Sequence, residues 1–337
     1  MDNSSQSQSR QITLRIGLLF VLLAATELLW LHALTPLENR LSDWFVRSHA
    51  VQLAPDPDIV IVDIDDASLA NMQNEAGSWP WPRAVHGELV RGIARQQPKA
   101  IVFDILFSER DEFRPDSDRA FNQALQGLNN VYFPLVRRDA ANDGQGAPAV
   151  QVAPLLGLVR TEHADDTAHI ALLPPLAIDP VFWRSGSINF SEDADGVGRR
   201  YQLFTDAYGW LIPSLPARVG QDLGYAVPQQ ADTILAWRGK PGAFKHISYA
   251  DLFADFNREQ TQRDGDELKN KIVIIGTAAT GLHDVRATPI SSLYPGIEML
   301  ATAIDNLKNG RAMQRADEGF AAGLALLLLG VLSIAFL

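Results

Sequence analysis

Acidic side chains follow the apolar stretches of this 337-residue chain at the points where strands are expected to end. Asp63 and Asp65 close one such stretch, Asp104 lies near the end of the next, and Asp284 follows a later one. Ligands of open parallel sheets bind beyond the carboxyl ends of the strands, so neighbouring strands would bring these four carboxylates into one cleft. Such a cluster suits a divalent cation, Mg²⁺ or Ca²⁺, because both take several oxygen ligands. The alternative, which is more common, is that these aspartates cap helices and loops.

A glycine-containing loop follows the last apolar stretch of the central region. Gly276 and Gly281 occupy the first and sixth positions of a phosphate-binding loop, but Leu282 and His283 stand where Lys and Ser or Thr are needed. We therefore do not expect a nucleotide site. A small anionic or polar ligand held by loop N–H groups, with Thr277 beside the first glycine, stays open.

Two large aromatic side chains and one cation lie in a rigid Trp-Pro-Trp-Pro-Arg segment that precedes a predicted helix. Trp79, Trp81 and Arg83 are candidates for a ligand pocket. Packing over the open end of the sheet is the favoured interpretation of the tryptophans, because burial of an indole ring is strongly stabilising.

A further acidic segment, Asp193-Ala-Asp-Gly196, is similar to the start of a calcium loop, but the downstream bidentate Glu is missing. The segment is therefore better explained as a tight turn. Arg199 and Arg200 alternate faces on the strand that follows, so one of them should point inward and require a carboxylate partner.

The elements that must position these residues are alternating strands and helices. Continuous apolar, β-branched runs predict buried strands, whereas apolar residues at helical spacing predict amphipathic helices. The predicted strands are 58–65, 100–107, 131–136 and 271–276; the predicted helices are 83–96, one capped by Asp116, one that begins at Ser214 or Pro213, and one that ends at Asn309-Gly310. Residues 139–185 are predicted to be loop with an edge strand or two, and residues 187–190 and 197–204 to form a hairpin. The fold class is therefore α/β, a largely parallel helix-covered sheet with a hairpin insertion.

Composition excludes several classes of protein. Acidic residues outnumber basic residues 40 to 29, giving a formal charge of −11, so nucleic acid is not an expected partner. Cysteine is absent, which removes disulfide frameworks, thiolate metal sites and cysteine nucleophiles. The sequence also lacks G-x-S-x-G and H-E-x-x-H, the two commonest hydrolase signatures, so no catalytic motif is found.

Hydrophobicity is concentrated at the two ends. Residues 16–34 and 319–337 are apolar stretches of a length that spans a bilayer, and flanking arginines place the amino terminus in the cytoplasm. The predicted organisation is a cytoplasmic tail (1–15), a transmembrane helix (16–34), an extracytoplasmic domain (35–318) and a second transmembrane helix (319–337). Because the chain ends inside the second helix, we expect it to be the front part of a longer protein.

Several of these motifs, taken in order, carry a family likeness. They are Asp43 to Arg47, Ile-Val-Asp-Ile-Asp65, Trp79 to Arg83, Val-Phe-Asp104-Ile-Leu-Phe107, Asp195-Gly196 with Arg199, Ile-Ile-Gly276 through Asp284, Thr288-Pro289 and Pro295-Gly296. In this order they resemble the type-two CHASE domain, a sensory extracellular module of bacterial transmembrane receptors. The likeness spans nearly all of residues 40–310.

The resemblance implies a sensory domain outside the bacterial inner membrane, in the periplasm, that signals through membrane helices to a cytoplasmic output. In this family the output is typically a nucleotide cyclase, a histidine kinase, a serine/threonine kinase or a cyclic-dinucleotide enzyme, and a homodimer is expected. The implied partners are the lipid bilayer and an unknown small ligand or periplasmic protein. Two other classes stay open, a membrane-tethered hydrolase that uses the aspartates with a divalent ion, and a scaffold protein.

Overall fold

The computed structural model describes residues 3–279, 282, 284–313 and 317–335. They form two compact units, Val46–Met313 and a second unit built from the two ends of the chain. The helices are α1 Asn3–Thr26, α2 Thr35–Ala50, α3 Asp66–Asn71, α4 Gln73–Ala76, α5 Arg83–Arg95, α6 Pro115–Leu125, α7 Ala149–Leu156, α8 Leu215–Asp222, α9 Tyr249–Phe256, α10 Gly296–Lys308 and α11 Glu318–Ala335. The strands are β1 Ile59–Ile64, β2 Ala100–Asp104, β3 Val131–Arg137, β4 Ala147–Pro148, β5 Val159–Arg160, β6 His169–Ile170, β7 Leu172–Leu173, β8 Ser185–Ser187, β9 Arg200–Gln202, β10 Phe204–Ala207, β11 Trp210–Pro213, β12 Asp232–Ile234, β13 Lys245–Ser248, β14 Ile272–Thr277, β15 Val285–Arg286 and β16 Tyr294–Pro295.

The unit Val46–Met313 is built on a largely parallel sheet, as the apolar runs predict. Its strand order is β13-β1-β14-β2-β3, with every neighbouring pair parallel, and β3 also pairs with β8 in parallel and with β7 in antiparallel orientation. The side chains of β1 and most of those of β2 and β14 are buried. Burial on both faces explains why these strands are continuous apolar runs rather than alternating ones.

Helices cover both faces of the sheet. On one face, α5, α6 and α9 contribute Leu89, Phe121 and Leu252 to a core with Val60 and Phe103. On the other face, α8 and α10 pack against the strands; their core contributions are Leu215, Val219, Ile297, Leu300 and Ile304. The chain therefore leaves β2 toward one face and β14 toward the other.

The predicted hairpin is wrong in its strands, although its turn is present. Gly196 has φ +75° and its N–H donates to the Asp193 carbonyl, which closes the turn. The strands beyond it have other partners, because β9 pairs with β12 and β10 pairs with β11. Tyr208 and Gly209, both with positive φ, form the two-residue connection of the β10–β11 hairpin, the turn whose twist matches that of paired strands.

Two local predictions also need correction. Residues 139–185 contain α7 as well as short strands, and Ala149, Ala153 and Leu156 of this helix pack into a small separate core. Asp116 does not cap α6, since the helix begins at Pro115 after Arg114. Proline tolerates the first helical position because its missing N–H has no partner there in any case.

The terminal unit is helical, and α1 packs against α11. The predicted uninterrupted helix over 16–34 differs from the structure, because a π-helical segment, Glu27–Leu31, follows α1 and His32 is left-handed with φ 48°. The Leu34 N–H donates to Glu27 Oε1 (2.6 Å), so this carboxylate satisfies an amide freed by the break.

Within the described residues, none of the single helices has both the length and the apolar content needed to cross a bilayer. Arg15–Leu31 and Thr35–Ala50, which are bent by 86° relative to each other, reach the threshold as a pair, and Gly319–Leu332 is a shorter apolar helix.

Candidate ligand-binding cleft

A cleft opens at the carboxyl ends of β2 and β14. The two strands are neighbours, with Asp104 opposite Gly276, and the chain continues from them toward opposite faces of the sheet. Such a divergence leaves a crevice beyond the strand ends, which is where ligands of open α/β sheets bind. The crevice here has a volume of about 270 Å³.

The polar lining of the cleft comes from four parts of the chain. Asp104 and Thr277 end their strands. Asp284 lies just before β15 and Arg286 lies within it, and Tyr201 comes from β9 in a separate two-stranded sheet. The apolar lining consists of Leu106, Ile188, Phe190, Met299 and Leu300. Three residues expected from the sequence, Asp104, Thr277 and Asp284, therefore meet here.

Asp284 lies against the first residue of α10. The Gly296 N–H donates to the Asp284 carbonyl (3.0 Å), and a Cβ at Gly296 would overlap the Asp284 carboxylate. Arg286 Nη2 is 3.5 Å from Asp284 Oδ1, and the guanidinium lies over the Phe190 ring, 5.6 Å from the ring centroid. Asp284 therefore has a cation beside it and depends on a glycine for its space.

Asp104 is in a different electrostatic situation. In the part of the chain that the structure describes, no hydrogen bond and no ion pair reaches its carboxyl group. Burial raises the pKa of Asp104 to about 7, the Asp284 carboxylate adds to this rise, and Arg286 partly opposes it. Desolvation and a like charge both favour the protonated form, so this carboxyl group changes its charge near neutral pH.

Tyr201 is a site residue that the sequence analysis missed. It is 5% exposed and lines the cleft, and burial, followed by the charges of Asp104 and Asp284, raises the pKa of its hydroxyl group. Among the described residues, no hydrogen-bond partner reaches this hydroxyl. The strand predicted over 197–204 contains this tyrosine, but nothing in the residue spacing shows that the strand reaches the edge of the central sheet.

Asp63 does not join this cleft. It lies opposite Gly276 on the other side of β14, and its Oδ2 is hydrogen-bonded to Nδ1 of His246 in β13. His246 Nε2 is 3.9 Å from Oε1 of Glu298, a 1% exposed residue whose carboxylate accepts the Gly242 N–H at 2.8 and 3.0 Å. Asp63 thus belongs to a second polar group, which we call the histidine cluster: Asp63, His246 and Glu298.

Electrostatics in the histidine cluster favour a charged imidazole. Burial lowers the pKa of His246, but the hydrogen bond and charge of Asp63, together with the charge of Glu298, outweigh it, and the net pKa is raised. Burial raises the pKa of Glu298, against the effects of the Gly242 N–H and His246. A cation between two buried carboxylates is the arrangement that limits the desolvation cost of each.

Gly276 explains why the two groups are separate. Asp63 and Asp104 flank Gly276 at the same level of the sheet, so all three positions face α10. A Cβ on Gly276 would lie 2.8 Å from Ile297 Cδ1 and 2.9 Å from Asp104 Cβ. The space that a side chain would occupy is thus filled by Ile297, which stands between the histidine cluster and the cleft.

Asp65 is a helix cap, as the alternative interpretation states. Its Oδ1 accepts the Ser68 N–H at the start of α3 (2.6 Å) and the Ser248 hydroxyl (3.2 Å). Of the four candidate carboxylates, Asp104 and Asp284 therefore meet in the cleft, whereas Asp63 and Asp65 lie elsewhere. The described residues hold no group of three or more His, Asp, Glu or Cys side chains placed to bind a metal ion.

The tryptophans pack in the core, as favoured from the sequence. Trp81 is 1% exposed, and its ring lies 5.1 Å from that of Trp79 and 5.0 Å from that of Tyr249, measured between centroids. Both tryptophans belong to the core on the α5 face, away from the α10 face that carries Asp104. A role of the two tryptophans in a ligand pocket, the other interpretation of this segment, finds no support in this placement.

Arg83 is held by the loop after β2 rather than by the cleft. Its guanidinium lies 3.6 Å from Asp111 and 3.7 Å from Asp118, and it donates to the Glu109 carbonyl (3.1 Å). These contacts fasten the start of α5 to the segment that leads into α6. Arg83 therefore lies outside the cleft.

The loop after β14 does not offer its first N–H groups to a ligand. The amides of Ala278 and Ala279 donate to the Ile64 carbonyl at 3.3 and 3.2 Å. Thr280, Gly281 and His283 of the glycine motif lie outside the described residues. Thr277 contributes to the site as part of the cleft lining.

The arginine prediction is confirmed. Arg199 is 8% exposed and pairs with Asp193 (2.9 Å) and Asp195 (2.8 Å), while Arg200 pairs with Asp193 (2.6 Å) and Asp232 (3.3 Å). The acidic segment is therefore a turn that binds arginines. This network fixes the start of β9 and hence the strand that carries Tyr201.

A comparison with protein-family models identifies residues 17–336 with the CHASE2 domain. No curated protein and no solved structure matches the chain. The family match covers nearly the whole sequence and confirms the resemblance seen in the ordered motifs. The chain therefore belongs to the CHASE2 domain family, whose members are the sensory extracellular domains of signalling receptors.

Proposed function

We propose that this chain is the extracytoplasmic input part of a bacterial transmembrane receptor. The cleft at Asp104 recognises a small polar ligand, and the resulting change passes inward through the terminal helices to a cytoplasmic output of the cyclase or kinase type. The main domain lies in the periplasm, the chain is anchored in the inner membrane, and the receptor works as a homodimer. Membership of the CHASE2 family supports this assignment.

The observation that carries the proposal is the course of α10. Its first residue, Gly296, borders the cleft, and its last turn joins an ionic network at the point where the chain leads into β1. Lys308 Nζ donates to Asp56 (2.7 Å) and Asp58 (3.0 Å), and the Asp56 N–H donates to Asp305 (3.1 Å). One helix thus connects the cleft to both ends of the domain, from which the terminal helices extend along the chain.

The terminal helices carry large apolar side chains on their surfaces. Trp30 is 79% exposed, Phe45 63% and Phe320 67%. Exposed apolar surface of this kind marks a contact with lipid or protein. It supports anchoring in a bilayer and, with Gly323 and Gly330 in α11, close approach of helices in a dimer.

The absence of cysteine makes the topology directly testable. Phe113 is 96% exposed in the domain and Gln11 is exposed in α1, so each accepts a single cysteine. We expect a membrane-impermeant maleimide to label Phe113→Cys in intact cells and Gln11→Cys only after lysis. The unsubstituted chain is the blank, and Val181→Cys, at a position 78% exposed, is a second reporter in the domain. Protection of both domain positions until lysis would contradict the proposal.

The path through α10 has a separate test. Gly296→Ala displaces the Asp284 carboxylate at the start of the helix, whereas Gly265→Ala adds a methyl group in open space. Hydrogen exchange of the full chain should change at residues 305–313 in Gly296→Ala but not in Gly265→Ala. A change confined to residues around the cleft would show that α10 does not carry the signal.

A further inference from the structure

Two polar groups in the cleft lack partners in the described part of the protein. Asp104 has no hydrogen bond or ion pair, and Tyr201, more than nine-tenths buried, has no partner for its hydroxyl. Asp104 is half-buried and Tyr201 lines the same cleft, so both polar groups are open to a ligand that enters it and can form new hydrogen bonds with that ligand. A binding site for a complementary group explains both.

We propose that this cleft binds a small organic cation, a protonated amine attached to an apolar group, and this inference rests on the proposed sensory role of the same cleft.

The charges in the cleft favour a cation. Asp104 and Asp284 are the two carboxylates among the described lining residues, and Arg286 is the one cation among them. Arg286 lies beside Asp284 and over the Phe190 ring, so Asp104 has no cation in contact. A protonated amine next to Asp104 would balance the second carboxylate through charge-assisted hydrogen bonds.

Tyr201 provides a second contact for such a group. An ammonium has three donors and no acceptor, so it needs acceptor oxygens arranged around it. The carboxylate of Asp104 and the hydroxyl oxygen of Tyr201 are both acceptors. Because the pKa of Tyr201 is raised, its hydroxyl stays neutral and adds no further negative charge.

The walls of the cleft suit the rest of the ligand. Leu106, Ile188, Met299 and Leu300 present apolar surface beside the polar floor. A few oriented polar groups within an apolar lining are typical of small-molecule sites. A volume of about 270 Å³ accommodates a molecule of the size of an amino acid or an arylalkylamine.

A divalent ion is the competing occupant. Ca²⁺ takes six to eight oxygen ligands and Mg²⁺ six in a nearly ideal octahedron. The described residues supply two carboxylates here, and Arg286 stands beside one of them. A single positive charge with an apolar body therefore fits the cleft better than a bare divalent ion.

The test uses the full chain in detergent micelles with three probes: phenethylamine, its neutral analogue 2-phenylethanol, and calcium chloride. Calorimetry should show saturable binding of phenethylamine that is at least tenfold tighter than that of 2-phenylethanol. Because the amine binds the ionised form of Asp104, its affinity should rise about tenfold from pH 5 to pH 6 and level off above pH 7.

Variants of the lining separate binding from folding. Asp104→Asn should weaken phenethylamine binding at least tenfold, and Tyr201→Phe about threefold. Well above pH 7, where Asp104 stays ionised, Arg286→Gln should strengthen binding, because it removes a positive charge close to the amine; misfolding would not produce this gain. Glu259→Gln, at an exposed position outside the cleft, is the matched control and should have no effect.

Equal binding of phenethylamine and 2-phenylethanol, or weaker amine binding in Arg286→Gln, would overturn the inference. Saturable calcium binding that is lost in Asp104→Asn and displaces the amine would overturn it in favour of a metal site. Neither result would affect maleimide labelling of Phe113→Cys, so failure of this inference is distinguishable from failure of the proposed receptor topology.

Discussion

Asp63 and Asp104 are the same residue type at the same level of the sheet, one on each side of Gly276. Asp63 has an imidazole partner in the next strand, and the histidine cluster is closed by Glu298. Asp104 faces a cleft with no ion-pair partner, and the nearby Asp284 carboxylate raises its pKa more than Arg286 lowers it. The comparison shows that one pattern, an aspartate near the end of a buried strand, serves structure at one position and leaves a group available for binding at the other.

The largest expected loss of stability comes from removing the imidazole of the histidine cluster. His246→Ala leaves Asp63 and Glu298 buried without their cation, and removal of one partner from a buried charged pair costs about 3 kcal/mol of unfolding free energy. Since the pKa of His246 is raised in the folded state, its contribution is complete below pH 6.5 and is lost as the pH rises through the folded value.

Denaturant unfolding of the full chain should therefore show a larger loss for His246→Ala at pH 6 than at pH 9. His163→Ala, at an exposed position, is the control and should change the unfolding free energy by less than about 0.5 kcal/mol. Equal losses in the two variants would mean that the histidine cluster is not a stabilising feature.

The next effect concerns the boundary between the two regions. Gly276→Ala forces a methyl group against Ile297 and Asp104, and such overpacking costs about 1–3 kcal/mol. Gly265→Ala, where a Cβ meets open space, should lie within about 0.5 kcal/mol of the parent. If thermal and denaturant unfolding of Gly276→Ala match those of Gly265→Ala, then Ile297 does not need the glycine to hold the two regions apart.

The third expected effect is a gain in stability, whereas His246→Ala causes a loss. Asp104 has a folded-state pKa of about 7 against 3.8 for an ordinary aspartate, so the folded protein holds a proton that the unfolded chain loses between these pH values. Stability therefore falls as the pH rises from about 4 to 7, and Asp104→Asn removes this loss. Each unit of pKa difference corresponds to about 1.4 kcal/mol, and screening by water in the open cleft reduces the whole gain to about 1–2 kcal/mol.

We thus expect Asp104→Asn to be more stable than the parent at pH 8 and nearly equal to it at pH 4, in denaturant titrations without added ligand. Glu259→Gln should show no such pH dependence. A variant that is less stable than the parent at pH 8 would indicate that Asp104 has a stabilising partner, as Asp63 does, and the contrast between the two regions would fail.

Much of the fold followed from sequence patterns because those patterns are local. The continuous apolar runs of β1, β2, β3 and β14, and the helical spacing in α5, α8 and α10, were predicted within a few residues. Strand β13 was missed because it lies beside β1 at the edge of the sheet, and Ile247 alone of its four residues is buried. An edge strand of this kind lacks the apolar run that marks a central one.

The residues of the candidate site were likewise predicted only in part. Asp104, Thr277 and Asp284 were identified because the carboxyl ends of parallel strands meet at one edge. Tyr201 and Arg286 were not, because each reaches the cleft from a short strand outside the central sheet. Asp65 is a helix cap, as the alternative interpretation states, and this role depends only on the three residues that follow it.

The sequence by itself determined the alternation of strands and helices, the carboxylates at the strand ends, the apolar character of both termini and membership of the CHASE2 family. Only the tertiary structure decided which aspartate is neutralised and which faces a cleft. The physical reason is that His246 lies 183 residues from Asp63, and Ile297 fills the space over Gly276 from a helix that follows the sheet. Contacts over such distances depend on strand order and helix packing, which residue spacing does not encode.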